Sequence, residues 1–235
     1  MPRRKVPFVN GEYYHIYNRG VDKRNIINSP FDIKRILESL SVFNTTEPVG
    51  SLFGYSKRNK NKKVGNRVSN LVEVVAFNIL NNHYHLVLKQ ISDEGVSIFM
   101  KSFGGGYTKH YNEKYDRVGP LFQGPFKAEH ISSDEYFNYV VAYVNGNHFV
   151  HGLESVGNLV SNWGMRSSLE QYVLDEKKWE NKYFKCDLSA IKHLYKTGVE
   201  YLDEVKEIAK NIRTKRGKND QLETRFPTDI LDLKL

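Results

Sequence analysis

The sequence predicts an α+β fold. Short runs rich in β-branched and aromatic residues alternate with longer segments whose apolar residues recur at helical spacing. The chain has 235 residues, 40% of them hydrophobic, enough to bury the core of one substantial domain. No apolar run reaches the roughly 18 residues that a membrane-spanning helix needs, so no membrane association is expected.

The first half of the pattern is a strand, a helix and a hairpin. Strand patterns cover residues 12–18, 71–80 and 83–88. A tight Asn81-Asn82 connection joins the last two, which predicts that they pair as a hairpin. The intervening helix opens at Ser29-Pro30, because proline is favoured at the first position of a helix.

A second helix, a fourth strand and a third helix follow. The second helix covers residues 95–115, with Gly104-Gly105-Gly106 indicating a bend or close packing. The fourth strand is predicted at 121–131, and Ser132-Ser133 supplies the N-cap of a helix at 134–147. The order β-α-β-β-α-β, then another helix, is the ferredoxin-like or split βαβ pattern. We therefore expect an antiparallel sheet with helices on one face.

Beyond Gly152 the chain changes character. Charged segments alternate with amphipathic patterns at residues 188–195 and 201–212, which predict two further helices. We predict a core domain at residues 1–155 and a C-terminal helical accessory segment at 156–235. That segment either packs on the core or contacts a partner.

The composition limits the classes of function. With 35 Lys and Arg against 27 Asp and Glu, the net charge is +8, which suits nucleic acid or an anionic surface. The single cysteine, Cys186, excludes an internal disulfide and a cysteine zinc site, and fits a reducing compartment. The basic N-terminus has no apolar stretch after it, which argues against a secretory signal.

The tripeptide His83-Tyr84-His85 lies in the third predicted strand. Strand side chains alternate, so His83 and His85 point to one face, roughly 7 Å apart. Two imidazoles on one face can bind one divalent metal ion. The alternative is that two surface histidines are neighbours by chance.

The third predicted helix carries a candidate reactive group. Tyr136, Tyr139 and Tyr143 share one face of this helix. For the first two, an aromatic packing stripe is favoured. Tyr143 differs because Asn147 lies four residues on, on the same side. A hydroxyl and a carboxamide facing a sheet with two histidines make a plausible site.

Four segments carry a family resemblance, at residues 14–20, 82–88, 119–127 and 143–147. They resemble the single-tyrosine HUH transposases, most of all the REP-associated tyrosine transposases and their insertion-sequence relatives. The resemblance covers roughly residues 10–170, with a weaker similarity at 162–168. The chain departs from the family at His148, where these relatives usually have proline. Beyond about residue 175 it has no counterpart in the family.

The resemblance implies a metal-dependent endonuclease and strand transferase that acts on single-stranded or hairpin DNA. It implies that His83 and His85 bind Mg²⁺ or Mn²⁺, and that Asn147 supplies or positions a third ligand. It implies that Tyr143 attacks the scissile phosphorus, forms a 5′-phosphotyrosine link and releases a 3′-hydroxyl. Because the link retains the energy of the phosphodiester, strand transfer needs no nucleotide.

Other tyrosines and histidines compete for these roles. We assign Tyr107, Tyr111 and Tyr115 mainly to packing or DNA contact. We interpret His110, His130 and His148 as ordinary surface or packing residues. Candidate contacts to the DNA backbone are Arg3, Arg4, Lys57, Arg58, Lys60, Lys62, Lys63, Arg67 and Lys127, with the basic cluster at 213–218. These charges could instead be solvated.

Two other functions stay open. One is a non-catalytic, ferredoxin-like nucleic-acid-binding module, although the aromatic signature of RNA-recognition domains is missing. The other is an HUH replication or mobilisation initiator with the same chemistry. The sequence leaves the choice between monomer and homodimer open. The expected location is the cytoplasm of a prokaryote, in association with the nucleoid.

Overall fold

A four-stranded antiparallel sheet forms the centre of the computed structural model, which describes residues 6–47, 49, 71–152, 167–173, 184, 186–189 and 194–216. The strands are β1 (Tyr13–Arg19), β2 (Val72–Ile79), β3 (His83–Gln90) and β4 (Lys127–Ile131), and the helices are α1 (Pro30–Val42), α2 (Gly95–Lys114), α3 (Asp134–Val150), α4 (Leu169–Val173) and α5 (Gly198–Arg216), with a 3₁₀ turn at Val21–Lys23. The strand order β2-β3-β1-β4, with α1 and α2 as the crossovers, is the split βαβ arrangement. The predicted α+β class is confirmed.

The strand register brings polar residues of the four strands together. Tyr17 of β1 lies opposite His85 of β3, and His15 lies opposite Glu129 of β4. On the other side of β3, Asn78 of β2 also lies opposite His85. Directly opposed residues point to the same face of a sheet, so these five side chains converge on one face.

A β-bulge between Val74 and Ala76 sets the facing of Asn78. Val75 and Ala76 are consecutive, yet both lie in the apolar cluster formed with α3, whereas Phe77 lies in the opposite cluster. An extra residue of this kind shifts the alternation by one position. Without it, Asn78 would point away from α3.

Helices cover both faces of the sheet. The cluster around Tyr14 contains the apolar stripes of α1 and α2, whereas the cluster around Val87 contains α3 and α5. The prediction of helices on one face is therefore correct for α1 and α2, the helices of the split βαβ unit, but not for α3. The physical reason is that β2 and β3 also present apolar residues on the second face, including Val75 and Val87.

Helices α1 and α3 begin at the residues that the sequence predicts. Pro30 is the first residue of α1 with extended Ser29 before it, and the Ser133 hydroxyl accepts a hydrogen bond from the Tyr136 N–H. Helix α2 is continuous through its three glycines. A Cβ on Gly106 would lie 2.5 Å from the Phe43 ring, so this glycine allows close helix packing, as predicted.

The fourth strand is shorter than the sequence predicts. It begins at Lys127, and the preceding Leu121 and Phe122 are buried without forming a strand, apart from one bridge between Phe122 and Gly20. Pro125 has no N–H to donate to a ladder, so pairing cannot continue through it. The apolar pair at 121–122 serves the core rather than the sheet.

Helix α5 packs directly on α3. A Cβ on Gly146 would lie 2.6 Å from Val205, and the Asn145 side chain donates to the Tyr201 hydroxyl at 2.7 Å. The helix predicted at 201–212 is confirmed within α5. The described residues of the segment predicted helical at 188–195 are not helical. Among the described residues, no helix is both long and apolar enough to cross a membrane.

Asn44 connects the end of α1 to the start of β2. Its Oδ1 accepts from the N–H groups of Leu71 and Val72 at 2.9 and 3.0 Å, and its Nδ2 donates to the Val72 carbonyl at 2.7 Å.

We expect Asn44→Ala to lower the free energy of unfolding by about 2–4 kcal/mol, because buried backbone groups lose their partners. Urea denaturation measures this. Asn211→Ala, at an exposed position of α5, is the control and should be nearly neutral; equal stability of the two variants would contradict the role of Asn44.

Candidate active site

The two histidines of β3 lie on the sheet face that α3 covers. The ring centroids of His83 and His85 are 5.3 Å apart. Tyr84, between them, points to the opposite face and lies in the cluster with α1 and α2. His85 is buried and His83 is half-buried, so the pair lies at the margin of a packed interface.

His15 of β1 orients the imidazole of His85. The Nε2 of His15 lies 2.9 Å from the Nδ1 of His85, and the two rings stack with an interplanar angle of 11°. His15 is fully buried, and burial lowers its pKa to about 3, so it is neutral at pH 7. In such a contact one of the two nitrogens donates a proton and the other accepts it. The contact uses Nδ1 of His85 and turns Nε2 toward other ligands.

Asn82 orients the imidazole of His83 in a similar way. The Nδ2 of Asn82 donates to the Lys23 carbonyl at 3.3 Å, which turns its Oδ1 toward His83. That oxygen lies 2.6 Å from Nδ1 of His83. Because a carboxamide oxygen only accepts, Nδ1 of His83 carries the proton and Nε2 carries the lone pair.

The lone pair of His83 faces another acceptor. Its Nε2 lies 3.4 Å from Oδ1 of Asn147, so the contact is unfavourable without a proton or a cation shared by the two atoms. Asn147 is fully buried, and its Nδ2 has no hydrogen-bond partner among the described residues. Packing alone does not explain a buried carboxamide whose nitrogen has no partner and whose oxygen faces a second acceptor.

This donor set fits a divalent metal ion. Two ligands about 2.1 Å from one ion are separated by about 3–3.5 Å, which matches the His83–Asn147 distance. Within the part of the chain that the structure describes, no three His, Cys, Asp or Glu side chains converge on a metal position. A site here would therefore combine His83 and His85 with the Asn147 carboxamide, a mixed nitrogen and oxygen set.

Tyr143 meets the histidines from α3 of the same chain. Its ring stands edge-on to His85, with centroids 5.6 Å apart and an interplanar angle of 87°, and lies 6.0 Å from the ring of His15. Asn147 is one helical turn further on, beside His83. The helix thus presents its tyrosine to one histidine and its asparagine to the other. The Tyr143 side chain is 2% exposed.

Asn78 holds α3 in this orientation. Its Nδ2 donates to the Val144 carbonyl at 2.9 Å and the Asn145 carbonyl at 3.3 Å, and lies 3.2 Å from Nδ1 of His148. The two carbonyls belong to the helical turn between Tyr143 and Asn147. Because Asn78 is fully buried and lies opposite His85 in the sheet, it fixes the rotation of the helix relative to the histidine strand.

A second polar group fixes the same turn from the C-terminal segment. The Ser168 hydroxyl donates to Oδ1 of Asn145 and accepts from the Phe77 N–H, at 2.9 Å for the latter bond. The Ser167 hydroxyl donates to the Asn145 carbonyl at 3.0 Å. Strand β2 and helix α3 are therefore joined through residues outside the split βαβ unit.

Tyr17 and Glu129 complete the polar cluster. The Tyr17 ring stacks on His15 at 5.1 Å and on His85 at 5.8 Å. Its hydroxyl donates to Oε1 of Glu129 at 2.9 Å. Burial raises the pKa of the Glu129 carboxyl, although the hydrogen bond from Tyr17 opposes this shift. Lys127 is exposed, with its Nζ 5.8 Å from the centre of the Tyr17 ring.

The sequence patterns did not single out several residues of this cluster: His15, Tyr17, Asn78, Glu129 and the exposed His151, whose ring lies 5.1 Å from that of His83. For His15 and Tyr17 a signal exists, because they alternate on one face of the predicted first strand. For Asn78 the β-bulge, and for Glu129 the pairing of β1 with β4, determine the face of the sheet to which the side chain points, and the sequence does not specify either.

Of the competing residues, Tyr107, Tyr111 and His130 lie away from the site, whereas the buried His148 contacts Asn78. Tyr107 and Tyr111 pack on the other side of the sheet, where their hydroxyls donate to the carbonyls of Ile26 and Asn25. His130 contacts Glu12 at 2.8 Å. Of the nine DNA contacts predicted individually, eight lie outside the described residues: Arg3, Arg4, Lys57, Arg58, Lys60, Lys62, Lys63 and Arg67.

Comparisons with known proteins add little beyond this geometry. Neither family models nor curated proteins gave a match. Among solved structures, the chain is similar to a REP-associated tyrosine transposase bound to a REP hairpin, with 12% sequence identity and a TM-score of 0.47. The match covers 80% of this chain and 93% of that chain. At this level of similarity no functional conclusion follows from it.

The buried neutral histidines predict a pH-dependent stability. Burial lowers the pKa of His15 to about 3 and that of His148 to about 4, whereas both have a pKa of about 6.5 in an unfolded chain. As the pH falls below about 6.5, the unfolded state binds more protons than the folded state. We expect the free energy of unfolding of the metal-free protein to fall by up to about 1.4 kcal/mol per pH unit for each histidine.

Urea denaturation between about pH 7 and pH 5 measures this dependence. His15→Phe should show a shallower slope than the wild-type protein, and the difference between the slopes isolates His15. Equal slopes for the two proteins would contradict a buried neutral His15.

Proposed function

We propose that the chain is a metal-dependent endonuclease and strand transferase for single-stranded or hairpin DNA, a transposase of the single-tyrosine HUH type. One observation carries the proposal: Tyr143 meets His85 edge-on while Asn147, one helical turn later, faces Nε2 of His83. A potential nucleophile, two imidazoles and a carboxamide thus converge within one chain. The net charge of +8 suits a DNA partner.

His83 and His85, through their Nε2 atoms, and Asn147, through Oδ1, would hold Mg²⁺ or Mn²⁺. When bound, the ion polarises the scissile phosphate and neutralises charge that develops on it. Asn82 would keep His83 in the tautomer that ligation requires, and His15 would occupy Nδ1 of His85 so that its Nε2 is left for the ion. Supporting contacts of this kind typically change metal affinity by about 10–100-fold.

Tyr143 is the proposed nucleophile. Its Oη attacks the phosphorus, the bond from phosphorus to O3′ breaks, and the products are a 5′-phosphotyrosine link and a 3′-hydroxyl. Attack of the same or another 3′-hydroxyl on this link reverses the step and joins strands. A phenol has a pKa of about 10 and is a weak nucleophile at neutral pH, so it must lose its proton as it attacks.

Access to Tyr143 sets a further requirement. Since its side chain is 2% exposed, a phosphate reaches the hydroxyl only after the contact between α3 and the sheet opens at this point. We propose that DNA binding supplies the energy for this opening, as in other sites that assemble around substrate. Lys127, exposed beside Tyr17, is positioned to contact a phosphate at the margin of the site.

We expect Tyr143→Phe to abolish covalent attachment to DNA, because the attacking oxygen is absent. The measurement is the yield of denaturation-resistant adduct with a labelled hairpin and Mn²⁺. Tyr139→Phe, one turn earlier on α3, is the control and should form adduct as the wild-type protein does. An adduct that survives in Tyr143→Phe would refute the nucleophile. Tight binding of nucleic acid without any wild-type adduct would favour a non-catalytic module.

We expect metal affinity to depend on the support of His85 as well as on the ligands. His83→Ala should eliminate Mn²⁺ binding, and His15→Phe should weaken it about 10–100-fold, because His85 loses the contact that orients its ring. Titration calorimetry with Mn²⁺ alone measures both. His130→Ala, outside the site, is the control. Wild-type affinity in His15→Phe would contradict the role of His15, and wild-type affinity in His83→Ala would refute the metal site.

A further inference from the structure

We propose that a basic groove between α3 and α5 binds the phosphate backbone of a single DNA strand that extends from the active site. The inference rests on the proposed function for its partner, but it assigns a second binding site. The basic side of this groove belongs to the part of the chain, beyond about residue 175, that has no counterpart in the family resemblance.

The groove opens between the last turn of α3 and the second half of α5. Its volume is about 570 Å³. The lining residues are Phe149, Lys206, Ala209, Lys210, Arg213 and Thr214. Phe149 and Ala209 are buried and supply its apolar part, whereas the four polar residues are exposed. A volume of this order is typical of a site for a small ligand or for a few groups of a larger one.

Three cations share the side of α5 that lines the groove. Lys206, Lys210 and Arg213 follow one another at intervals of four and three residues, a spacing that puts them on one face of a helix. Within the described part of the chain, none of the three forms an ion pair with a carboxylate. Like charges at this spacing destabilise an isolated helix, so an anionic ligand would relieve their repulsion.

The dipole of α5 does not account for these charges. Basic residues near the C-terminus of a helix interact favourably with its dipole, but the effect is confined to the last turn. Helix α5 ends at Arg216, and Lys206 and Lys210 both lie more than one turn before that end. The acidic residues of α5 lie no further along than Glu207. The second half of the helix therefore presents positive charge for which an anionic partner is the better explanation.

The length of the basic row fits a DNA strand. From Lys206 to Arg213 the helix advances about 10 Å, at about 1.5 Å per residue. A stacked strand carries one phosphate per about 3.4 Å of its axis, so about three phosphates match the three cations. A positively charged groove that follows the backbone, beside apolar or aromatic groups for the bases, is the usual arrangement of sites for single strands.

The groove is close to the active site but separate from it. Phe149 lies one turn beyond Gly146, which packs against Val205 of α5, whereas Tyr143 and Asn147 face the histidines of the sheet. Along the axis of α3, Tyr143 and Phe149 are about 9 Å apart, at about 1.5 Å per residue. A strand of a few nucleotides can therefore occupy both the groove and the active site.

Removal of two of these charges should reduce the salt dependence of DNA binding. The double variant Lys206→Gln, Lys210→Gln keeps side chains of similar helix propensity. For a labelled hairpin with single-stranded extensions, the slope of log K against log salt concentration should become shallower by about 1.4, since each phosphate contact of a single strand contributes about 0.7. At about 0.1 M salt this corresponds to a Kd about 25-fold higher. Fluorescence anisotropy in the Tyr143→Phe background, where no covalent link forms, measures both.

Two control proteins separate the groove from net charge. The double variant Lys101→Gln, Lys215→Gln removes the same charge from exposed positions outside the groove, and Lys215 lies on the opposite face of α5 from Lys206. It should keep the wild-type slope, as should the double variant Lys206→Arg, Lys210→Arg, which keeps the charges. An unchanged slope in the glutamine variant of the groove, or an equal loss in the control, overturns the proposal. A loss that persists on a hairpin without extensions overturns the single strand as the ligand.

Acylation of lysines in the wild-type protein gives an independent measurement. The hairpin with extensions should protect Lys206 and Lys210 from an amine-reactive reagent, whereas Lys101 and Lys215 should react as they do without DNA. Mass spectrometry of the peptides reads the labelling at each position. This result decides the matter if circular dichroism shows that the glutamine variant does not fold. Equal labelling of Lys206 and Lys210 with and without DNA overturns the groove.

The proposed function and the groove fail in different ways. If the wild-type protein forms no adduct but its salt slope depends on Lys206 and Lys210, the transposase is refuted and the groove stands as a nucleic-acid site. If an adduct forms through Tyr143 while the slope is independent of these lysines, the groove alone is refuted. A protein that binds no DNA refutes both.

Discussion

The arrangement of the site depends on the hydrogen bonds from the Asn78 carboxamide to α3. These bonds reach the Val144 and Asn145 carbonyls from a fully buried side chain that lies opposite His85. A helix packed on a sheet by apolar contacts alone can rotate or slide at modest cost, since such contacts are not directional. Directional bonds to the turn between Tyr143 and Asn147 remove that freedom. One interaction therefore places the tyrosine and the asparagine against different histidines.

The rest of the cluster follows from burying polar groups beside that contact. His15, Asn78 and Asn147 are each fully buried, and a buried polar group costs free energy unless it is partnered. His15 is partnered by His85, whereas the acceptor pair of His83 and Asn147 leaves a position that suits a cation. The same burial limits access to Tyr143. Burial of these polar groups thus lowers the local stability and forms a preorganised polar site, a combination common at functional positions.

The sequence predicts the secondary-structure elements better than it predicts the face of the sheet to which their side chains point. The strand at His83 and the helix starts at Pro30 and Ser133 follow from local chemistry, because alternation, the fixed φ of proline and capping act over a few residues. The bulge that turns Asn78 toward α3 and the pairing that sets Glu129 opposite His15 depend on tertiary contacts. The fourth strand was predicted too long because buried Leu121 and Phe122 resemble strand residues. The roles of His83, His85, Tyr143 and Asn147 stay predictions, although the fold brings these residues together.

The central claim is that Tyr143 acts with the histidines of its own chain. Mixing two inactive variants, Tyr143→Phe and His83→Ala, tests it directly by adduct formation on a labelled hairpin with Mn²⁺. Each variant keeps the half of the site that the other lacks. If the site forms within one chain, the mixture stays inactive while the wild-type protein forms adduct. An adduct on the His83→Ala chain that appears only in the mixture would show that two chains share a site, and would contradict this arrangement.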